Sequence, residues 1–192
     1  MSAHPEQQVW LVRHAETEWS RSGRHTGRTD VPLTEAGRDR ARELAGPLGA
    51  HDFAVVLASP LGRARETARL AGLGDEPEIR EDLLEWDYGD YEGITTPEIR
   101  EDRPGWYLWR DGVPNGETPD EVAARCDRVI EEILTVEGDV AIVAHGHILR
   151  ALGARWIEKP VAFGGRLFLS TGSLSVLGFE REVRVLRSWN AT

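Results

Sequence analysis

Five side chains in this sequence have types and placements suited to chemistry: Arg13, His14, Arg63, Glu85 and His145. Together they supply two guanidinium groups, two imidazoles and a carboxyl, and each follows or adjoins the end of an apolar run. Phosphoryl transfer calls for that set. Guanidinium groups bind and stabilise the spread negative charge on the oxygens of a moving phosphoryl group. A neutral imidazole can attack phosphorus, and a carboxyl can protonate the departing oxygen and later deprotonate water. Taken singly, each residue has an ordinary alternative: Arg13, Arg63 or Glu85 as a solvated charge, either histidine as a structural strand-end residue. His145-Gly146-His147 also has the look of a metal pair. It lacks a third histidine nearby or a carboxylate-rich motif, so no metal and no cofactor are expected.

The elements that must position these groups follow from hydrophobic pattern. Val9-Trp10-Leu11-Val12 runs into Arg13-His14, and Val140-Ala141-Ile142-Val143-Ala144 runs into His145-Gly146-His147. In an open parallel sheet the ligand crevice lies outside the carboxyl ends of the strands, so two such endings can share one pocket although far apart in sequence. Runs at 8–13, 53–58 and 139–144 are short, rich in Val, Ile and Leu, and continuously apolar, as strands buried on both faces are. Between them the period is helical. Thr34 caps an expected helix over 35–49, and a second is expected after Ser59, with Pro60 at its first position. Thr118-Pro119-Asp120-Glu121 is a capping box ahead of the stripe Val122, Cys126, Val129, Ile130 and Ile133, and a further helix is expected from His147 to about Ile157. Runs at 173–179 and 183–187 read as a strand pair turning at Glu180-Arg181-Glu182. The alternation implies an α/β fold, a three-layer α/β/α sandwich with a mainly parallel central sheet.

Residues 86–117 differ from the rest. Trp86, Tyr88, Tyr91, Trp106, Tyr107 and Trp109 stand among Gly, Pro and Asp, the composition of an insertion that covers a site rather than of a core layer. No repeat or linker interrupts the chain, so a single domain over 1–192 is expected, with 86–117 lying over the active site.

Composition narrows the function classes. The chain has 192 residues, 40% of them hydrophobic, and a formal net charge of -10 with a sequence pI near 5.1. Nucleic-acid and anionic-membrane binders draw their affinity from an excess of Lys and Arg over a whole face, so neither partner is expected. An anionic ligand would have to be met by a local cluster. Arg24, His25, Arg28, Arg100, Arg103 and Arg110 are candidates for a second anionic group, with solvent the expected surroundings of each taken alone. Cys126 is the only cysteine, which rules out an intrachain disulfide and a Cys-based zinc site. Met1–Gln8 shows no basic patch followed by an apolar core, and no stretch approaches 18 consecutive apolar residues. A cytoplasmic monomer or homodimer is expected.

Leu11-Val12-Arg13-His14-Ala15-Glu16-Thr17 resembles the Arg-His-Gly-Glu-Thr signature of the histidine phosphatase superfamily, the phosphoglycerate-mutase-like fold. Three further blocks resemble the family's in the same order: Gly23 to Thr34, Ser59 to Ala68, and Val143-Ala144-His145-Gly146. The resemblance covers about residues 8–180. It implies that His14 is a nucleophile forming a phosphohistidine, that Arg13, Arg63 and His145 clamp the phosphoryl oxygens, and that Glu85 is acid and base. It also implies substrate-binding roles for Ser20, Thr26, Gly27, Tyr88 and Gly146. Ala15 departs from the usual glycine. The segments 85–93, 109–112 and 115–118 resemble the acid-phosphatase and sedoheptulose-1,7-bisphosphatase-like branch. Mutases of the family carry a longer basic insertion and an Arg-Arg pair that this chain lacks, with only about 60 positions between Glu85 and His145. An open site lets water intercept the phosphohistidine. The implied activity is a metal-independent phosphomonoesterase acting on a small phosphorylated metabolite, such as a sugar phosphate or bisphosphate. A 2,3-bisphosphoglycerate-dependent phosphoglycerate mutase and a catalytically weak binding or regulatory member are the alternatives.

Overall fold

A computed structural model describes residues 6–192; the reading of the N-terminal segment over residues 1–5 lies outside them. In chain order the elements are β1 (Val9–Arg13), α1 (Glu18–Ser22), α2 (Glu35–Glu43), α3 (Ala45–Leu48), β2 (Phe53–Ala58), α4 (Gly62–Leu70), β3 (Glu78–Ile79), α5 (Thr96–Asp102), α6 (Leu108–Asp111), α7 (Pro119–Ile133), β4 (Asp139–Ala144), α8 (Gly146–Trp156), β5 (Leu174–Glu180) and β6 (Val183–Ala191). The sheet order is β3-β2-β4-β1-β5-β6. Strands β3, β2, β4 and β1 pair in parallel, and β5 and β6 close the other edge antiparallel.

Strand alternation divides the core between the two faces of the sheet. Val9, Leu11, Val140 and Ile142 pack with α7 and α8, whereas Val12, Ala58 and Val143 pack with α3 and α4. The result is the expected three-layer arrangement. The three apolar runs form β1, β2 and β4, and the Thr118 capping box starts α7 with its stripe buried. Strand β6 continues past the expected end to Ala191. Among the described residues no helix is long and apolar enough to cross a membrane.

Three local expectations are corrected. The helix expected over 35–49 breaks at Leu44 into α2 and α3. Pro47 has no N–H for the Glu43 carbonyl, and its ring crowds that same carbonyl, which interrupts the ladder. Helix α4 starts at Gly62, not Pro60, because Asp30 accepts hydrogen bonds from Gly62 N (2.7 Å) and Arg63 N (3.4 Å) and caps the helix from a distant segment. Finally, the aromatic segment is part of the core: Trp86, Tyr88, Trp106 and Trp109 are almost fully buried within the larger cluster. Such rings bury large apolar areas once their N–H groups find acceptors. Trp86 Nε1 donates to Glu117 O and Trp106 Nε1 to Gly112 O.

Candidate active site

Sheet register brings the two histidines together. Strands β1 and β4 are parallel neighbours with Arg13 opposite Ala144, and His14 N donates to Ala144 O at 2.9 Å. The residues at each lip, His14 and His145, therefore stand side by side with ring centroids 5.0 Å apart. On the far side of β4, Ser59 follows β2 and its Oγ lies 2.7 Å from His145 Nε2. Arg63, on the first turn of α4, donates from Nε to His145 Nδ1 at 3.2 Å.

These contacts assign the ring protons. A guanidinium only donates, so His145 Nδ1 is the acceptor and Nε2–H donates to Ser59 Oγ. A carbonyl only accepts, so His14 Nδ1 carries the proton donated to Ala15 O at 2.8 Å. The free lone pair of His14 is then on Nε2. Burial, followed by the Arg63 and Arg13 charges, holds His14 well below the usual histidine range. Burial, Arg63 and His14 do the same for His145. Both rings are neutral at and somewhat below neutral pH.

Arg63 is fully covered and also donates to Thr29 O (2.7 Å), Thr26 O (3.0 Å) and Gly27 O (3.0 Å), which ties the 26–29 loop beneath the histidines. Arg13 donates from Nη1 to Leu169 O, while its Nε is buried with no partner. Its guanidinium lies against the start of α8, where a Cβ added to Gly146 would sit 3.1 Å from Arg13 Cζ. A small residue is needed there for the arginine to pass.

Glu85 arrives from the 3-10 turn ahead of the aromatic segment. His145, the N-cap residue of α8, gives that helix no side-chain cap. Glu85 supplies it: Oε2 accepts from His147 N and Oε1 from Ile148 N, both at 2.9 Å, with Trp86 N also on Oε1 at 2.9 Å. The carboxylate is thus fixed against a helix N-terminus and lines the same cavity as His14. Arg125 on α7 holds the chain that carries it, donating to Asp82 O (2.7 Å) and Leu84 O (2.9 Å) and forking onto Glu117. Glu117 in turn accepts from Asp87 N at 2.8 Å.

A cavity of about 390 Å³ opens over His14. Of the residues singled out from sequence, Arg13, His14, Ser20, Thr26, Glu85, Tyr88 and Gly146 line it; Arg63, Gly27 and His145 sit behind the lining. Arg24, His25 and Arg100, for which solvent was expected, also line it, whereas Arg28 pairs with Asp87 and Arg110 with Asp111. His147 and Arg150 were missed as site residues. The helical spacing of Gly146 and Arg150 at the start of α8 was the available signal, since residues four apart share a face. His147 Nδ1 hydrogen-bonds the Tyr88 hydroxyl, and burial with the Arg150 charge holds that ring well below the usual range. Burial raises Tyr88 well above the usual tyrosine range, so its hydroxyl stays protonated.

Comparison with known proteins gives a consistent picture. The sequence profile of the histidine phosphatase superfamily (branch 1) matches residues 9–192. An acid phosphatase of Mycobacterium tuberculosis is 46% identical over 181 residues, 92% of this chain and 88% of its own length. A sedoheptulose 1,7-bisphosphatase of Saccharomyces cerevisiae is 38% identical over 184 residues, 79% of this chain and 68% of its own length. The solved structure of an open reading frame product from Mycobacterium tuberculosis superposes with a TM-score of 0.92 at 42% identity, over 97% of this chain and 98% of the other.

Proposed function

The chain belongs to the histidine phosphatase superfamily (branch 1), and from that premise we propose that it is a phosphomonoesterase that hydrolyses small phosphorylated metabolites through a phosphohistidine at His14. The observation that carries the reading is the pairing of a neutral His14, its lone pair on Nε2, with a cavity lined by several guanidinium groups and one carboxylate.

In the first displacement Nε2 attacks phosphorus in line, the N–P bond forms, and the ester P–O bond breaks. The departing oxygen takes a proton from Glu85. In the second, water gives a proton to Glu85 as its oxygen attacks phosphorus, and the P–N bond breaks to release phosphate. Arg13, in the cavity lining, meets the phosphoryl oxygens. Arg63 and His145, directly behind His14, act as fixed charge and ring support, preorganised by their existing hydrogen bonds so that little reorganisation accompanies the reaction. Ser20, Thr26, Tyr88 and Gly146 complete the substrate wall, and Gly27 contributes its carbonyl to Arg63. The aromatic segment 86–117 covers one side of the substrate as well as packing in the core. Because guanidinium groups supply the positive charge, the reaction needs no metal.

The test is phosphate release from 4-nitrophenyl phosphate, sugar phosphates, sugar bisphosphates and phosphoglycerates with excess chelator present, with interconversion of phosphoglycerates followed in parallel. Release that survives the chelator is the expected result. Interconversion without release makes the protein a mutase and overturns the reading, and binding without turnover makes it a regulatory member of the family.

A further inference from the structure

Arg13 is the guanidinium that the proposed reaction places on the phosphoryl oxygens, and few groups fix its direction. Among the described residues its one hydrogen-bond acceptor is the Leu169 carbonyl, reached from Nη1, and its Nε is buried without a partner. Leu169 lies in a stretch, residues 167–170, that has no regular secondary structure and carries Phe168, 72% exposed, into the cavity lining. Arg13 is therefore directed by a carbonyl of an irregular surface segment, and such a segment needs anchors of its own.

The anchors come from the end of β6. Trp189 Nε1 donates to Phe168 O at 2.6 Å, and Asn190 Oδ1 accepts from Ser170 N at 2.6 Å. Ser170 N and Leu169 O belong to one planar trans amide, so its N–H and C=O point to opposite edges. Asn190 takes one edge and Arg13 the other. An amide bonded at both ends is polarised by each bond, which strengthens both and restrains its rotation.

Strand β6 is shaped to deliver that side chain. Leu174 stands opposite Ala191 and Val176 opposite Ser188, so Trp189 and Asn190 together face the single residue Ser175, as in a β-bulge. Bulges re-aim side chains and recur beside active sites. Asn190 has a φ of 58°, the left-handed region that asparagine tolerates better than most residues other than glycine. Its N–H donates to the buried Ser175 Oγ at 3.0 Å. The Trp189 ring is seated on α8, where a Cβ added to Gly153 would come within 2.8 Å of it.

We propose that Asn190, assisted by Trp189, is a positioning residue for phosphoryl binding: through the Leu169–Ser170 amide it sets the direction of Arg13. The proposal rests on the phosphatase reading for what Arg13 does in turnover, but anion binding tests it without turnover. The experiment is calorimetric titration with tungstate, a tetrahedral oxyanion that stands in for phosphate, alongside kcat/KM for an alkyl and an aryl phosphate. Asn190→Gly keeps the left-handed backbone and removes the acceptor, whereas Asn190→Asp keeps the acceptor. The glycine variant is expected to bind tungstate about five- to tenfold more weakly, the effect of one lost buried hydrogen bond, and to lose as much in kcat/KM on both esters alike. The aspartate variant is expected to stay within about twofold of the unmodified protein, since its acceptor remains. Trp189→Phe leaves a ring on Gly153 and removes the N–H; a smaller loss in the same direction is expected, and this variant carries the test if the Asn190 variants do not fold. Tungstate affinity unchanged in the glycine and phenylalanine variants, with a lower urea midpoint as their only change, would overturn the role. Equal losses in the glycine and aspartate variants, or no binding of tungstate by the unmodified protein, would do the same. Weaker tungstate binding by the glycine variant, with no ester hydrolysed by the unmodified protein, sinks the phosphatase reading alone; hydrolysis with tungstate affinity unchanged in every variant sinks the positioning role alone.

Discussion

At the floor of the cavity His14, His145, Arg63 and Glu85 spend their donors and acceptors on fixed partners, whereas toward the mouth Arg24, Arg100 and Arg150 are each held by one carbonyl. The floor is built on strand ends and a helix N-terminus, and its ring tautomers follow from neighbours that can only donate or only accept. The mouth draws on the loop at Arg24, the short helix α5 and the second turn of α8, and among the described residues its arginines have no ion-pair partner. Chemistry at phosphorus needs groups already in place when charge develops, since reorganising them would add to the barrier. Recognition of a variable alcohol portion is served by long side chains that keep free donors. On the reading proposed above, reaction at phosphorus belongs to the floor and contact with the alcohol portion of the substrate to the mouth.

Removing the nucleophile should break the contrast most sharply. His14→Ala is expected to lower kcat by about 10⁴-fold or more and to abolish acid-labile phosphate on the protein, while ligand binding at the mouth persists. A variant that still forms the phosphoenzyme would take the reaction centre away from His14. Glu85→Gln comes next. Alkyl phosphates should lose about 10²–10⁴-fold in kcat/KM, and an aryl phosphate far less, because a good leaving group needs little protonation. Equal losses on both would argue against Glu85 as the acid. The same variant should also lose about 1–2 kcal/mol in urea denaturation, since an amide cannot accept all three of the N–H groups now on the carboxylate.

Arg125 tests how far the floor extends. It is not among the residues that line the cavity, yet it grips the Asp82 and Leu84 carbonyls just ahead of Glu85. Arg125→Met leaves the partly buried Glu117 without its ion-pair partner, an expected loss of about 3 kcal/mol. As a positioning residue it should also lower kcat more than it raises KM, and more for alkyl than for aryl esters. A pure stability loss, with the leaving-group dependence unchanged, would confine Arg125 to a structural role.

A further effect is graded by pH. His14, His145 and His147 are each held well below the ordinary histidine value, mainly by burial. Below about pH 6.5 the unfolded chain takes up protons that the folded chain refuses, so stability is complete above that pH and falls as the pH drops toward the folded values, by up to about 1.4 kcal/mol per pH unit for each ring. Urea midpoints between pH 7 and 5 should show the slope, and His147→Gln should reduce it. The same depression keeps His14 unprotonated in mild acid. The acidic limb of kcat/KM should therefore lie well below pH 6.5, and a limb centred there would mean that His14 titrates as an ordinary surface histidine. At the mouth no comparable pH dependence is expected, because arginine stays charged throughout.

The strands, the caps and the family blocks were legible because their signals are local. A run such as Val140–Ala144 is continuously apolar wherever it is buried on both faces, and the Thr118 box satisfies its own helix within three residues. Less was legible where a partner came from elsewhere. Asp30 moved the start of α4, and Glu85 capped α8 from a segment about 60 positions earlier. The aromatic segment looked like a cover by composition. Its indoles proved to be core as well as wall, because their N–H groups met carbonyls of the same segment.

By itself the sequence determined the inventory: which strands end in histidine, where the arginines and the carboxyl fall, and hence the class of chemistry. Tertiary structure decided what those groups are. Register between β1 and β4 set His14 against His145, a carbonyl and a guanidinium assigned their ring protons, and the fold brought Arg24 and Arg100, expected in solvent, into one cavity wall with Arg150. The division has a physical cause. Backbone periodicity and capping are set within a few residues, whereas a proton's place or a charge's partner depends on whatever the fold brings within about 3 to 4 Å, from any distance along the chain.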